Sequence, residues 1–472
     1  MMNAEGEEVV FHGLAEAVRY WGNWIKEQAE RELGQFYPKD PDGATPIAYL
    51  WARTITCEGP GCGAEVPLMR SMWLAQKGER SVALRMVPDK QAKRVDFEIV
   101  QNAKVKDIGE GTVQHGATSC PVCGYTTAVE SVRAQLKPRS GGTNDARLFT
   151  VVTTRTDSQG RFYRLPNEYD FQAVSHASAE LTSRQSKHRG DLSLTPDEPI
   201  SLNEIRRISV PVYGMATWSS MFSDRQLLSL TTLSRLVNQV GRNLASCVDQ
   251  EFSAAIQVCL ALAVDKQADL GNALCRWEPI AQCPRQLFAR QAVGMVWDFA
   301  EGVAIGESSG AFAIQVDRLE QTLSSIGADW ASGHVERSSA TNHPLPDDSA
   351  QALITDPPYY DAVPYAHLSD FFYVWLRRSL YDSFKEILVS PGVPKAEEIV
   401  VDRPHYLSTS EKDVAFYERE LTKAFAEGRR VLAPNGIGTI VFASKTTASW
   451  EAILQAVVEA GWTITGSWPI DT

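Results

Sequence analysis

No stretch of this chain is both long enough and apolar enough to span a bilayer. The longest nearly uncharged run, Phe252 to Val264, falls well short of the ~20 residues a spanning helix needs. Met1 leads into acidic residues rather than a basic, apolar leader, so no secretory signal is read and a cytoplasmic protein is expected. Cysteine is scarce. Eight in 472 residues do not make a disulfide framework, which leaves metal ligation or core packing as their roles. Basic charge is also short: 46 Lys and Arg against 58 Asp and Glu give a formal net charge of -12, which excludes whole-surface attraction to a polyanion. Any nucleic-acid contact must therefore use a local basic face. The stretch carrying Arg133, Lys137, Arg139, Arg147, Arg155, Arg161, Arg164, Arg184, Lys187 and Arg189 is one candidate, with a solvated face as its other reading.

What is present divides into four blocks. Residues 1–46 hold an amphipathic entry helix, with Leu14, Val18, Trp21, Trp24 and Ile25 at helical spacing and Pro38, Pro41 and Gly43 behind it. Residues 47–170 change to short strand-like runs such as Ser81 to Met86, Asp96 to Val100 and Leu148 to Thr154, which predict a small β-rich insert. Residues 171–327 are mostly helical, with Ser223 and Asp224 placed to cap a leucine-rich helix and a second apolar helix over Phe252 to Val264.

Residues 328–472 alternate strand and helix. Strands are predicted at Ala352 to Thr355, Ile437 to Ala443 (buried) and Trp462 to Trp468. Helices are predicted through Leu368, Phe371, Phe372, Trp375 and Leu376, over Ala415 to Leu432 with Pro434-Asn435-Gly436 as its stop, and over Trp450 to Ala460. Strands separated by helices predict a doubly wound α/β sheet.

Two cysteine pairs face each other across the β insert, Cys57-x4-Cys62 and Cys120-x2-Cys123. Zinc takes four thiolate or imidazole ligands in a tetrahedron, and two such knuckles supply them. Gly63 and Gly124 follow the second cysteine of each pair, where the backbone must turn. The expected metal is structural zinc in a zinc-ribbon insert. Cys247, Cys259, Cys275 and Cys283 lack knuckle spacing and read as core thiols.

Asp356-Pro357-Pro358-Tyr359 directly follows the Ala352 to Thr355 strand. Ligands of open α/β sheets bind outside the carboxyl ends of strands, so this carboxylate is expected to face a crevice. Two prolines fix φ and donate nothing, which holds the Pro357 carbonyl as a directed acceptor. Beside them stands the aromatic plane of Tyr359. A planar base with an exocyclic amine suits this set: the amine donates to Asp356 and to the Pro357 carbonyl while the ring stacks on Tyr359. Both bonds draw the nitrogen lone pair out of conjugation and make it a better nucleophile. Tyr360, Asp361 and Tyr365 are candidates to touch an extruded base, or else to brace the next helix; Lys445 is a candidate phosphate contact or a solvated lysine. His367 reads as a solvent-facing or capping residue, with an approach to substrate as its other reading.

The tetrapeptide is the motif IV form of amino methyltransferases, and the wider run TDPPYYDAVPYAHLSDFFYVWLRR resembles a group of large prokaryotic DNA methyltransferases. That group carries an N-terminal domain of unknown function, number 1156 in its series. GRFYRLPNEYD, PVYGMATWSSMFSDRQLLSLTTL, RQAVGMVWDFAEG, LAPNGIGTIVFASK and GWTITGSWPI are similar to the group in its order, and together cover most of the chain. The resemblance implies a Rossmann-like class I sheet, S-adenosylmethionine as methyl donor, and DNA as partner. Adenine N6 is the first target it suggests, in restriction-modification or phage defence. An RNA amino methyltransferase and a non-catalytic nucleic-acid-binding fragment remain open.

One part of the family pattern is missing. No glycine-rich motif I is found; Gly109-Glu110-Gly111 and Gly306 to Gly310 are the nearest glycine pairs, and Val293 to Gly306 reads as a strand followed by a glycine loop. The cofactor-binding residues are therefore unknown. The expectation is a partial or split sequence, whose motif I comes from an N-terminal segment or a partner chain.

Overall fold

Ser223 shows most directly how sequence dictates local structure here. Its hydroxyl accepts the Gln226 N–H while the Gln226 side chain accepts the Ser223 N–H at 2.9 Å, a capping box that starts the helix Asp224–Leu244. Asn167 and Asp170 do the same for the helix Glu168–Lys187. The computed structural model describes residues 10–245, 249–327, 330–402 and 412–469. Its fold is mixed α/β, with several small sheets. It divides into two compact units: residues 1–200, 208–328 and 369–393 form the first, and residues 201–207, 329–368 and 394–472 the second.

The first unit is built on a four-stranded antiparallel sheet in the order Phe162–Arg164, Arg147–Thr154, Thr45–Ala52, Asp298–Gly302. Thr45–Ala52 is covered on both faces, which is why it reads as a nearly continuous apolar run. Ala48, Leu50 and Ala52 join Phe149, Leu84 and Phe97 in one core. On the other side the helix Leu14–Leu33 packs with Asp224–Leu244, Gln250–Leu270 and Phe312–Ser324. Gly22 permits that approach, because a Cβ there would lie 2.3 Å from a methyl carbon of Val316.

The first three sequence blocks, apart from residues 201–207, therefore share one unit, which also takes in residues 369–393 of the fourth block. The entry helix is part of its helical layer, and the strands of the β-rich block pair with Asp298–Gly302 from the helical block. Asp298–Gly302 does lead through a glycine-containing loop to a helix, as the Val293 to Gly306 run suggests. Its sheet neighbour, however, is antiparallel.

The second unit holds a parallel pair, Ala350–Thr355 beside Leu432–Ile440, with Leu353 opposite Gly438 and Ile354 opposite Thr439. The helices Val414–Val431 and Thr447–Glu459 cover one face through Tyr417, Leu421, Phe425, Ala452, Ile453 and Ala456. Leu353 lies against Gly428 of the first of these, where a Cβ would sit 2.6 Å away. The opposite face carries Ala352, Ile354, Ile437, Thr439 and Val441, all exposed; Ile354 is 77% and Ile437 71% accessible.

Two strand expectations change here. The expected buried strand at Ile437 to Ala443 instead starts at Leu432 and is mostly exposed. A register shift opposite Ala350 to Ala352 absorbs Pro434-Asn435-Gly436 as an irregularity inside it rather than as a stop before it. Trp462 to Trp468 forms no strand. The Trp462 ring lies over Gly438 and its Nε1 donates to the Phe425 carbonyl at 2.9 Å, and among the described residues no ladder partner is present for residues 463–468. Among the described residues no helix is long and apolar enough to cross a membrane.

Candidate functional site

Val441 N donates to the Thr355 carbonyl at 2.9 Å, continuing the parallel pairing to the last residue of the strand. Asp356 follows immediately, exposed at the carboxyl edge of the pair. Pro357 is buried, and no donor among the described residues reaches its carbonyl. The Pro358 carbonyl, by contrast, takes two donors: Tyr360 N at 3.1 Å and the Tyr417 hydroxyl at 2.8 Å.

Tyr360 sits at φ +56°, a left-handed conformation that costs a bulky side chain about 1–2 kcal/mol. Several contacts hold it there. Its carbonyl accepts Val401 N at 3.0 Å, and its ring meets that of Tyr417 edge-on at 5.3 Å. Burial pushes the Tyr417 phenol up to about 12.

Tyr359 turns its hydroxyl to the Asp356 carboxylate. That hydrogen bond, then burial, raises the phenol to about 12. Its ring packs edge-on against Phe442 at 5.2 Å, and Phe442 meets Trp450 at 5.0 Å, so a row of aromatic rings borders the tetrapeptide. The set offers an exposed carboxylate, a directed carbonyl and aromatic surface within one loop.

The loop beyond is tied down by residues far away in sequence. Arg206 Nη2 donates to the Asp361 carbonyl at 2.6 Å, with the Asp361 carboxylate 4.0 Å from Nη1. Tyr365 is exposed at the start of the helix Tyr365–Leu380, and Glu398 accepts the Ala366 N–H at 2.9 Å, placing a carboxylate at that helix N-terminus. Lys445 is exposed, three residues beyond Phe442.

His367 departs from the solvent-facing role expected of it. It is 3% exposed; burial first, then the Lys395 charge, lowers it to about 4, and its Nδ1 has no partner. The cause is local: it lies in the first turn of the helix between Ala366 and Leu368, both buried. The Tyr360 ring packs on Tyr417, and the Asp361 carbonyl is held by Arg206. Sequence reasoning missed Tyr417 and Arg206. Tyr417 shares its spacing with Leu421 and Phe425 and so reads as core, and Arg206 carries no local signal at all.

The four knuckle cysteines converge. Cys57 and Cys123 Sγ are 3.6 Å apart, Cys62 and Cys120 Sγ 3.9 Å, and all four sulfurs lie within 4.8 Å of one another. A tetrahedral site with metal–sulfur bonds near 2.3 Å sets its sulfurs about 3.8 Å apart. This cluster can hold a metal ion. Cys57 and Cys62 lie on the connection between the paired strands Thr54–Thr56 and Glu65–Pro67, and Cys120 and Cys123 between Ala117–Ser119 and Thr126–Thr127. Gly63 at φ +62° and Gly124 at φ +78° occupy the left-handed turns predicted for them, and Gly59 N points at Cys57 Sγ at 3.3 Å. Of the other cysteines, Cys275 is fully buried, Cys259 and Cys283 are partly buried, and Cys247 lies outside the described residues.

The basic stretch is largely consumed by internal pairs. Arg139 pairs with Asp145, Arg147 with Asp96, Arg155 with Asp42, Arg164 with Asp40 and Asp170, and Arg184 with Glu180. Arg133 lies over the Tyr213 ring, and Arg189 donates to main-chain carbonyls. No family model, no curated protein and no solved structure matches the chain.

Proposed function

We propose that this chain carries the amine-holding half of an S-adenosylmethionine-dependent amino methyltransferase acting on an extruded base of DNA, adenine N6 first. The observation that carries the reading is the pairing of an exposed Asp356 carboxylate with a Pro357 carbonyl that lacks an internal donor, at the carboxyl end of a parallel strand. These two acceptors match the two hydrogens of an exocyclic amine. Asp356 and Pro357 orient the amine and, by accepting its two N–H bonds, raise the electron density on its nitrogen. Tyr359, braced by Phe442, supplies the aromatic plane, and Asp356 or water receives the proton released once the nitrogen is alkylated. S-adenosylmethionine, when bound, contributes the electrophilic sulfonium methyl.

The methyl-donor half belongs to an N-terminal segment or partner chain carrying motif I. Parallel sheets are covered on both faces, and the exposed Ala352, Ile354, Ile437, Thr439 and Val441 face is the kind that further strands and helices of a doubly wound, Rossmann-like sheet would cover. Structural zinc is the metal we assign to Cys57, Cys62, Cys120 and Cys123, since four thiolates leave no open position for chemistry.

Labelled methyl transfer tests the reading, with the motif I segment supplied and DNA and RNA compared. DNA is expected to accept label, and Asp356→Ala to abolish it. Activity unchanged by Asp356→Ala sinks the proposal, and label confined to RNA moves it to the RNA enzymes. Calorimetry on the chain alone is expected to show weak S-adenosylmethionine binding; tight binding would refute the divided site.

A further inference from the structure

We infer that Arg206 is a phosphate-binding residue of this site, holding the backbone of a single nucleic-acid strand whose base is presented to Asp356. The inference rests on the reading of the tetrapeptide as a base-amine site. Arg206 belongs to the Ser201–Arg207 segment, which joins the second unit apart from the chain on either side of it. That segment lies against the loop following the tetrapeptide: Arg206 Nη2 donates to the Asp361 main-chain carbonyl, two residues beyond Tyr359.

Two observations distinguish this guanidinium from a loop anchor alone. Its side chain remains 41% accessible, and its one close partner is a neutral carbonyl; the nearest carboxylate is at the 4.0 Å limit. A guanidinium carries five N–H donors, so one bond to a carbonyl leaves most of the fork available to a phosphate.

The placement suits an extruded nucleotide. A base taken out of its stack brings a phosphate on each side of its sugar, and arginine is one of the side chains that contacts such phosphates. Arg206 stands beside the tetrapeptide through Asp361. Lys445 is exposed a few residues beyond Phe442, which packs on Tyr359. Arg206 thus keeps an exposed positive charge beside the tetrapeptide of an acidic protein, while five arginines of the 133–189 stretch, Arg139, Arg147, Arg155, Arg164 and Arg184, sit in internal ion pairs.

The test is binding of a fluorescent single-stranded DNA oligonucleotide to the full chain, measured by anisotropy from low to moderate salt. Arg206→Ala is expected to weaken binding about tenfold and to lower the slope of log affinity against log salt by about 0.7, one phosphate's worth for a single strand. Arg206→Gln keeps an N–H for the Asp361 carbonyl without the charge and should fall with Arg206→Ala, whereas Arg206→Lys should keep the slope. Slopes identical in wild type, Arg206→Ala and Arg206→Gln overturn the inference and leave Arg206 a loop anchor. So does wild-type binding that is undetectable or insensitive to salt. A chain that shows the Arg206 effect yet never transfers methyl keeps this inference and loses the enzymatic one, and the reverse pattern does the opposite.

Discussion

The Tyr417 hydroxyl donates to the Pro358 carbonyl at 2.8 Å, while its ring supports Tyr360, the one residue of the loop at positive φ. A fully buried helix residue thereby fixes the conformation of the candidate site from beneath. Tyr417→Phe keeps the ring and deletes the donor. It is expected to cost about 1 kcal/mol, read as a lower urea midpoint; a midpoint equal to wild type would show that the bond carries no weight.

Arg225 and Glu301 form an ion pair with side chains 1% and 0% exposed, with Trp51 Nε1 also donating to Glu301 at 2.9 Å. The guanidinium lies 3.9 Å from the Tyr49 ring centre. Glu301→Gln leaves the arginine charge buried and is expected to destabilise the first unit by about 3–5 kcal/mol, whereas replacing both partners by apolar residues should recover most of that loss. Equilibrium denaturation of the two variants decides the point, and a double variant no better than the single one would contradict it.

His367 gives a pH signature. Its folded pKa, about 4, lies below the ordinary 6.5, so the folded state disfavours the proton. Its contribution to stability is full above the ordinary value and is lost as pH falls through about 4. Lys395, Lys412 and Asp402 face it, the two lysines lowering and the aspartate raising its pKa. Stability measured at several pH values between 7 and 4 should decline, and His367→Gln should flatten the decline. A His367 ring that titrates near 6.5 by NMR would refute this.

Metal analysis after purification without chelator is expected to find one equivalent of zinc. Chelation should loosen the two cysteine hairpins, because the cluster residues Cys57, Cys120, Val66 and Val113 pack together around the four sulfurs. Less than half an equivalent would remove the assignment.

The sequence was most legible where local rules act alone. Ser223 and Asp224 mark a helix start, Leu14 to Ile25 a helical stripe, and the two cysteine pairs a convergence that the hairpins deliver. It was least legible where partners are distant. Arg53 is fully buried and donates to the carbonyls of Gly141, Val296 and Ala273, and nothing near position 53 announces them. The same holds for Arg206 at Asp361. The strand starting at Leu432 was misread because Pro434-Asn435-Gly436 is a breaker by local chemistry, yet the bulge in its ladder accommodates it. Burial was misjudged at Ile437 because an apolar strand in an α/β pattern is expected to be covered.

That uncovered face has a practical corollary for anyone handling the isolated polypeptide. Ile354, Ile437 and Val441 project from a ladder that has two strands among the described residues, a combination that invites stacking between molecules. Self-association should grow with concentration and with kosmotropic salt, and charge placed at Ile354 or Ile437 should suppress it without touching Asp356.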